Sequence, residues 1–444
     1  MPHKHSTLNI ILFIVVLFLN LMIKTDHTKW SALSDPYDYL QQSRYSFSDP
    51  HLWFPEKAEG FNPRPFAVPL LYKVAASDPD RIIILQKFLH SLSILLLVFS
   101  MLLFVRKNYL RYVGVFFTYL LMSWWNILGW TTTLLSESLS ISLMFLWIAT
   151  FLFLLKKRTA LYLILHIIIT VLFSFTRDNW PYLLLTFYFL LTLSAWVTDK
   201  KFVRYSVIML VFCSAIFFVQ GRAANIAKRY RIPVLNNIVY KIRPHDEYMQ
   251  WFAKQGMPCG DKLITEFGRD SVSKEQLFML YKDTTYAPLY NWIDAHGKNT
   301  WARFLITHPS HSLLFKESRA DLSRILAYNI GYTGGMRGYT WISYYLFPLF
   351  NPVILLLLMT VQLLLFRRKR ELMLLLPVAL SLVFLLNVFL MYNADAMEMT
   401  RHLFVTNIII QFIGILSVVI ILDSQFFNDW VTARWNKWFS KTKK

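Results

Sequence analysis

The sequence predicts an all-α fold: a polytopic transmembrane helical bundle of about ten spans, with interfacial helices and a large outer-face insertion. Hydrophobic residues make up 56% of the 444 residues and aromatic residues 17%. Soluble domains rarely reach such values, so an integral membrane protein is the expected class. Long apolar runs recur along the whole chain, and short basic clusters separate several of them.

The apolar runs are near or above the length that crosses a bilayer. They cover residues 8–23, 82–105, 112–128, 135–155, 159–176, 181–198, 203–220, 346–366, 372–392 and 403–422. No small-residue cleavage site follows the first run, so we expect it to remain as a membrane anchor rather than to be removed as a signal peptide.

The net charge of +20 comes largely from basic clusters between the apolar runs. Because cytoplasmic loops carry an excess of Lys and Arg, the clusters mark the cytoplasmic side, where both termini are also expected. The pattern favours anionic membrane lipids as partners and argues against nucleic acid. These clusters are Arg106-Lys107, Lys156-Lys157-Arg158, Lys200-Lys201, Arg367-Arg368-Lys369-Arg370 and the basic tail.

This orientation predicts a multi-pass protein of the plasma (inner) membrane in three parts. Residues 1–220 form an N-terminal transmembrane half that includes the outer loop 24–81. Residues 221–345 form an extracytoplasmic insertion, and residues 346–444 form the remaining spans with a basic cytoplasmic tail. The outer loop is dense in Trp, Tyr, Phe and Pro, which suits short helices lying at headgroup depth.

Charged side chains gather at the predicted outer ends of the spans, where each needs a cavity or a partner to offset the cost of its burial. Asp35 and Asp38 would share one face if the first outer loop begins as a helix. Carboxylates with Arg and His around an outward-facing cavity suit phosphate binding together with general-base chemistry. The other candidates are Glu137, Arg177 with Asp178, and Arg401 with His402 beside Asp395 and Glu398.

Each candidate also has a simpler interpretation. Asp35 before Pro36 is typical of a turn or helix cap. Glu137 would be a structural partner for an Arg or for a backbone group. Arg177 and Asp178 would make a local ion pair that closes a tight turn. At the start of the last span, Arg401 would simply extend its side chain to the membrane interface, and His402 would be an ordinary interfacial side chain.

The sequence lacks the common motifs of other enzyme classes. No phosphate-binding glycine loop, dinucleotide fingerprint, zinc-protease motif or serine-hydrolase elbow occurs. The two cysteines, Cys213 and Cys259, lie in an apolar and a polar run, so neither a disulfide nor a metal cluster is expected. No cofactor is therefore expected, and the reaction would take its energy from a substrate already in the membrane.

Several segments together resemble the family-C membrane glycosyltransferases, the group that includes protein O-mannosyltransferases and the aminoarabinose transferase of lipid A. The resemblance covers the general layout of most of the chain. Its segments are 34-SDPYDYLQQSRY-45, 62-NPRPFAVPLLY-72, 134-LLSESLSISL-143, 175-FTRDNWPY-182 and 398-EMTRHL-403. Two further segments resemble a bacterial subgroup with one long outer insertion: 243-RPHDEYMQWFAKQGMP-258 and 307-THPSHSLLFKE-317.

The resemblance implies transfer of a sugar from a polyprenyl-phosphate carrier to a glycan, lipid or protein acceptor on the extracytoplasmic side. It assigns the catalytic base to the first-loop acid, Asp35, with Glu137 and Asp38 orienting the acceptor or the Arg residues. The carrier phosphate would be bound by Arg401, His402, Arg177 and Arg64. A carboxylate base with cations on the departing phosphate is a chemically consistent set.

The sequence departs from the family at the first acid, because several relatives carry two adjacent acids where Pro36 follows Asp35 here. Asp38 therefore stays a rival for the base, and a divalent metal is left open without support from ligand spacing. An outer-face glycan ligase or polymerase remains an alternative, as does a lipid-linked glycan flippase or transporter. A transporter would be expected to place charges near mid-bilayer, whereas here they lie at span ends.

Overall fold

The computed structural model describes residues 34–56, 61–122, 125–268, 272–273, 276–277, 280, 283–313, 352–396 and 399–424, together with residues 11 and 15. Apart from residues 11 and 15, the predicted first span lies outside them. The side chains of residues 34, 35, 122, 125, 126, 352 and 399–401 also lie outside the description. The described elements are all helical, which confirms the predicted all-α class.

The first outer segment forms short helices, and longer ones follow it. The short helices are α1 (Ser34–Ser43), α2 (Pro50–Trp53) and α3 (Ala67–Val74). The next are α4 (Pro79–Leu102), α5 (Asn108–Met122), α6 (Trp125–Trp130), α7 (Ser136–Lys157), α8 (Ala160–Ser174), α9 (Trp180–Thr198) and α10 (Lys200–Ile226). The last three described helices are α17 (Pro352–Lys369), α18 (Leu372–Ala394) and α19 (Met399–Asp423).

Local sequence explains where several helices begin. Asp78 caps α4 by accepting a hydrogen bond from the Arg81 amide at 2.9 Å, and Pro79 follows it at the first helical position. Asp199 caps α10 in the same way through the Phe202 amide. Both arrangements satisfy amide groups that have no partner within the helix.

Among the described residues, six helices are long and apolar enough to cross a membrane. They are Pro79–Leu102, Ser136–Lys157, Trp180–Thr198, Lys200–Ile226, Leu372–Ala394 and His402–Asp423. The predicted run 112–128 coincides with the separate helices α5 and α6, and the run 159–176 with the shorter apolar helix α8. The structure thus establishes a membrane protein with part of the expected number of spans.

Helices α7 and α19 lie at the centre of the bundle. In the apolar stretch of α7, 94% of the residues are buried, and in that of α19 83% are buried, against 28% for α10. Helix α7 packs between α4 and α8, while α19 packs on α18, α5 and α7. The N-terminus of α7 therefore presents its side chains to the interior of the protein.

The insertion has a hydrophobic core of its own, separate from the core of the bundle. Its helices are α11 (Arg231–Asn237), α12 (Asp246–Lys254), α13 (Gly260–Phe267), α14 (Ala287–Trp292), α15 (Lys298–Thr307) and α16 (Pro309–Ser312). Helical turns at Ile238–Ile242, Thr284–Tyr286 and Ile293–Gly297 extend them. Helix α11 packs against the C-terminal end of α18, so the insertion sits on one end of the bundle.

The basic clusters that lie among the described residues collect at the opposite end, which we call the basic end. The ends of α4, α7 and α19 and the start of α18 line a common cavity there. Arg158 forms an ion pair with Asp199, which brings the turn between α9 and α10 to the same place. The end that carries the insertion, the N-terminus of α7 and the turn between α8 and α9 is called the polar end below.

Candidate functional site

A buried ion pair lies at the centre of the polar end. Glu137, in the first turn of α7, is 1% exposed and pairs with Arg177, which is 10% exposed. The Arg177 Nε–H donates to the Ser136 hydroxyl at 3.1 Å. A carboxylate at a helix N-terminus is also favoured by the helix dipole. This pairing agrees with the simpler interpretation of Glu137, as a structural partner for an Arg.

Arg177 connects this pair to the last helix. Its Nη1 donates to the main-chain oxygen of His402 in the first turns of α19, with 3.4 Å between the two atoms. Two of the predicted phosphate-binding positions thus lie side by side, although they are 225 residues apart in the chain. The guanidinium is held from three directions, which fixes its orientation.

Asp38 and Arg64 form a second ion pair, between α1 and the segment before α3. The Arg64 Nη2 donates to the Asp38 carboxylate at 3.1 Å, and the Asn62 amide donates to the same carboxylate at 3.2 Å. Gln42 accepts from the Arg64 amide and donates to the Arg64 carbonyl, both at 3.0 Å. Arg64 keeps a quarter of its side chain exposed, so it is anchored and still accessible.

Direct contacts join the two ion pairs through their segments. The Phe66 and Phe175 rings stack with centroids 4.4 Å apart, and the Ala67 amide donates to the Phe175 carbonyl at 3.1 Å. The segment after Arg64 therefore packs on the turn that carries Arg177. This contact fixes their relative position.

Two tyrosines extend the contacts of Arg64 into the protein interior. The Arg64 guanidinium lies over the Tyr39 ring, 5.3 Å from its centroid, and Tyr39 meets the buried Tyr72 edge to face at 6.0 Å. Burial raises the pKa of the Tyr72 hydroxyl well above its ordinary value, and the nearby Tyr39 and Glu137 raise it further. Tyr72 therefore stays neutral, and its hydroxyl can donate a hydrogen bond.

The predicted local ion pair between Arg177 and Asp178 is wrong. Arg177 points into the bundle toward Glu137, whereas Asp178 accepts from Arg229 at 2.8 and 2.9 Å. Gln220 donates to Asp178 at 3.1 Å and to the Arg177 carbonyl at 3.2 Å. Adjacent residues in this turn point in different directions, so each takes its partner from a distant part of the chain.

Further contacts fix the insertion on the end of α18. Asn236 of α11 donates to the Asp395 carboxylate at 2.8 Å, and the other oxygen of that carboxylate lies 4.0 Å from the His402 Nε2. The Trp301 indole N–H donates to the Asn393 carbonyl at 2.9 Å. The insertion thereby contacts Asp395, whose carboxylate lies near His402, and the carbonyl of His402 accepts from Arg177.

Two of the predicted site residues are described by their backbone alone. Asp35 lies in the first turn of α1, one helical turn before Asp38, and Arg401 lies in the first turn of α19, next to His402. Their side chains lie outside the described residues. The backbone places both at the polar end.

Sequence reasoning missed several of the partner residues at this end. Tyr39, Tyr72 and Ser136 lie in segments that carry the family resemblance, but the resemblance assigned them no role, and the chain contains 23 tyrosines. Arg229 and Asn236 lie outside those segments. Sequence reasoning did identify Glu137 and Arg177, because charged residues are rare at the ends of membrane spans. Hydroxyl and amide groups are not rare at membrane interfaces, so only their three-dimensional contacts identify them.

Among the described residues, no three His, Cys, Asp or Glu side chains are close enough together to hold a metal ion. The acids of the polar end are instead engaged by Arg and by amide groups, as with Asp38 and Glu137. Cys213 is buried in α10 and Cys259 is half-buried in the insertion, and both are free thiols.

Comparison with protein-family models, with curated proteins and with solved structures finds no match to this chain.

Proposed function

We propose that this protein is a glycosyltransferase that moves a sugar from a polyprenyl-phosphate carrier to an acceptor at the extracytoplasmic surface of the plasma membrane. The observation that carries the proposal is the convergence of Glu137, Arg177, Asp38 and Arg64 at one end of a membrane bundle, beside His402. A lipid-borne phosphate at the bilayer surface needs cations at that depth, and these positions supply them.

The proposal includes the finer topology. In addition to the six long helices, the run 8–23, α5 with α6, α8 and α17 complete about ten spans. Both termini are cytoplasmic, the insertion 221–345 is extracytoplasmic, and the active site faces outward. The collection of basic clusters at one end and of the mixed acids and bases at the other supports this orientation.

The proposed reaction begins with the acceptor hydroxyl giving its proton to the Asp35 carboxylate. The acceptor oxygen forms a bond to the anomeric carbon, and the bond between that carbon and the carrier phosphate oxygen breaks. The departing polyprenyl phosphate keeps the electron pair. Arg64, Arg177 and Arg401, with His402, stabilise the negative charge of this leaving group.

The contacts of Asp38 favour Asp35 as the base. Asp38 accepts from Arg64 through one carboxylate oxygen and from the Asn62 amide through the other, so both oxygens already have donors. Asp38 is therefore assigned to positioning Arg64. Glu137 has the corresponding task for Arg177.

The test is an in vitro assay of the full chain in lipid nanodiscs, with defined polyprenyl-phosphate sugars as donors and a panel of glycan and lipid acceptors. We expect Asp35→Asn to lower kcat by about 10²–10⁴-fold, the usual contribution of a general base. Asp38→Asn should chiefly raise KM for the carrier, because it releases Arg64. Asp49→Asn is the matched control, since Asp49 lies on the same outer segment and contacts exposed His51.

The outcomes separate the alternatives. Near-normal turnover by Asp35→Asn would remove the base assignment. Transfer only from oligosaccharide-loaded diphosphate carriers would instead indicate a ligase or polymerase. Movement of such a carrier across the membrane without any glycosidic product would indicate a flippase.

A further inference from the structure

A cavity of about 320 Å³ lies at the basic end of the bundle, away from the proposed active site. The ends of α4, α7 and α19, the segment before α5 and the start of α18 enclose it. Its volume is within the range of about 300–1,000 Å³ in which proteins hold small ligands. None of the residues assigned to glycosyl transfer lines it.

The cavity has one basic side. Arg106, Arg111 and Lys156 line it, and none of the three forms an ion pair with another described residue. The Arg111 Nε–H donates to the Val105 carbonyl at 2.6 Å, which holds the guanidinium at the wall. Lys156 lies over the Phe104 ring with its Nζ 5.5 Å from the centroid. Arg106 and Arg111 lie close together around the start of α5, whereas Lys156 lies at the end of α7, so the tertiary structure brings these two segments together.

Two acids also line the cavity, and their surroundings differ. The Asp423 carboxylate accepts the main-chain amides of Arg106 and Lys107 at 3.0 to 3.1 Å. It therefore fixes the loop that carries Arg106 rather than pairing with a lining cation. Glu371 is exposed at the start of α18. Bases outnumber acids around the cavity, which favours an anionic ligand.

The remaining wall is apolar. Met101, Leu152, Met373 and Leu416 line it, and Met101 and Leu416 are buried. A free phosphate would gain nothing from such a wall, whereas an acyl chain would bury apolar surface there. A basic pocket between transmembrane helices at the end rich in Lys and Arg is the expected form of a site for an anionic lipid headgroup.

We propose that this cavity binds an anionic glycerophospholipid, with its headgroup phosphate on Arg106, Arg111 and Lys156 and the start of an acyl chain on the apolar wall. The site belongs to the leaflet that the basic end faces. It does not depend on the proposed transfer reaction. An anionic headgroup is preferred to a zwitterionic one because the lining has a net positive charge.

The test reconstitutes the full chain in nanodiscs of phosphatidylcholine with or without phosphatidylglycerol and counts retained lipids by native mass spectrometry. Arg106→Gln/Lys156→Gln should weaken phosphatidylglycerol retention by roughly 10- to 30-fold, since each cation near an anionic lipid surface contributes about fivefold. Lys157→Gln/Lys201→Gln is the matched control: it removes the same charge from exposed residues of the basic end that do not line the cavity.

A second variant, Met373→Trp, fills the apolar wall and keeps every charge. It should also lower retention, which keeps the proposal testable if the double variant does not fold. The proposal is overturned by any of three results: retention of phosphatidylcholine equal to that of phosphatidylglycerol, the same loss in the control double variant, or displacement of the lipid by millimolar inorganic phosphate.

Discussion

Arg177 and Glu137 form an ion pair inside the polar end of the bundle, where their side chains are 10% and 1% exposed. The pair joins the α8–α9 turn to the N-terminus of the central helix α7. The Ser136 hydroxyl and the His402 carbonyl also accept hydrogen bonds from the guanidinium. Removing one member of a pair this deeply buried destabilises the fold, because the other charge is left buried without a counter-charge.

The first prediction concerns this pair. Glu137→Gln leaves a buried guanidinium without its counter-charge, so we expect it to lower the free energy of unfolding by about 3–5 kcal/mol. The double variant Glu137→Gln/Arg177→Met should be less destabilised than the single variant, because it removes the uncompensated charge as well. Thermal unfolding in detergent measures both.

Ser138→Ala is the control for this experiment. Ser138 is the next residue of α7, and its buried hydroxyl makes no hydrogen bond with the described residues. Its loss should change stability by less than about 1 kcal/mol. Strictly additive effects of the Glu137 and Arg177 substitutions would contradict the coupling.

The second prediction concerns the attachment of the insertion. Asp178→Asn weakens the contact with Arg229, which is 10% exposed while Asp178 is 42% exposed. Because the carboxylate is accessible to water, the expected loss is only about 0.5–1.5 kcal/mol. Hydrogen exchange should become faster at the C-terminal end of α10 and the start of α11. Arg222→Gln, an exposed cation on the same helix, should leave the exchange unchanged.

The third prediction concerns pH. Asp294 is paired with Arg231 and Lys228; burial acts to raise its pKa, but hydrogen bonds from these two residues outweigh burial and the pKa is lowered. A carboxyl with a lower pKa in the folded than in the unfolded state stabilises the fold above the unfolded value of about 3.9. That stabilisation is lost as the pH falls through the folded value.

The wild type should therefore have a higher Tm than Asp294→Asn at neutral pH, and this difference should narrow as the pH falls below about 4. Arg231→Gln removes one of the two partners and should reduce the neutral-pH difference. A Tm difference that stays constant down to pH 3 would contradict the role of the ion pairs.

The fourth prediction concerns topology and uses the native cysteines. Cys259 is half-buried in the insertion, and Cys213 is 1% exposed within α10. A membrane-impermeant maleimide added to intact cells should label the protein at Cys259, and Cys259→Ser should abolish the labelling. Labelling confined to inside-out vesicles would show that the insertion lies on the cytoplasmic side, opposite to the proposed orientation.

The sequence by itself determined the helical membrane class and the positions of the six long helices. Both are local properties: a long apolar run needs its backbone hydrogen bonds satisfied within the segment, so a helix is the expected form. Charge at a span end also identified Glu137 and Arg177, since a buried charge requires a partner.

Only the tertiary structure decided which residues are partners. Arg177 lies next to Asp178 in the chain, yet it pairs with Glu137, and Asp178 pairs with Arg229. The direction of each side chain in a turn depends on the backbone geometry and on the helices packed around it, and one sequence does not contain that information. The cavity at the basic end could not be predicted for the same reason, because its cations come from segments that meet only when the helices pack.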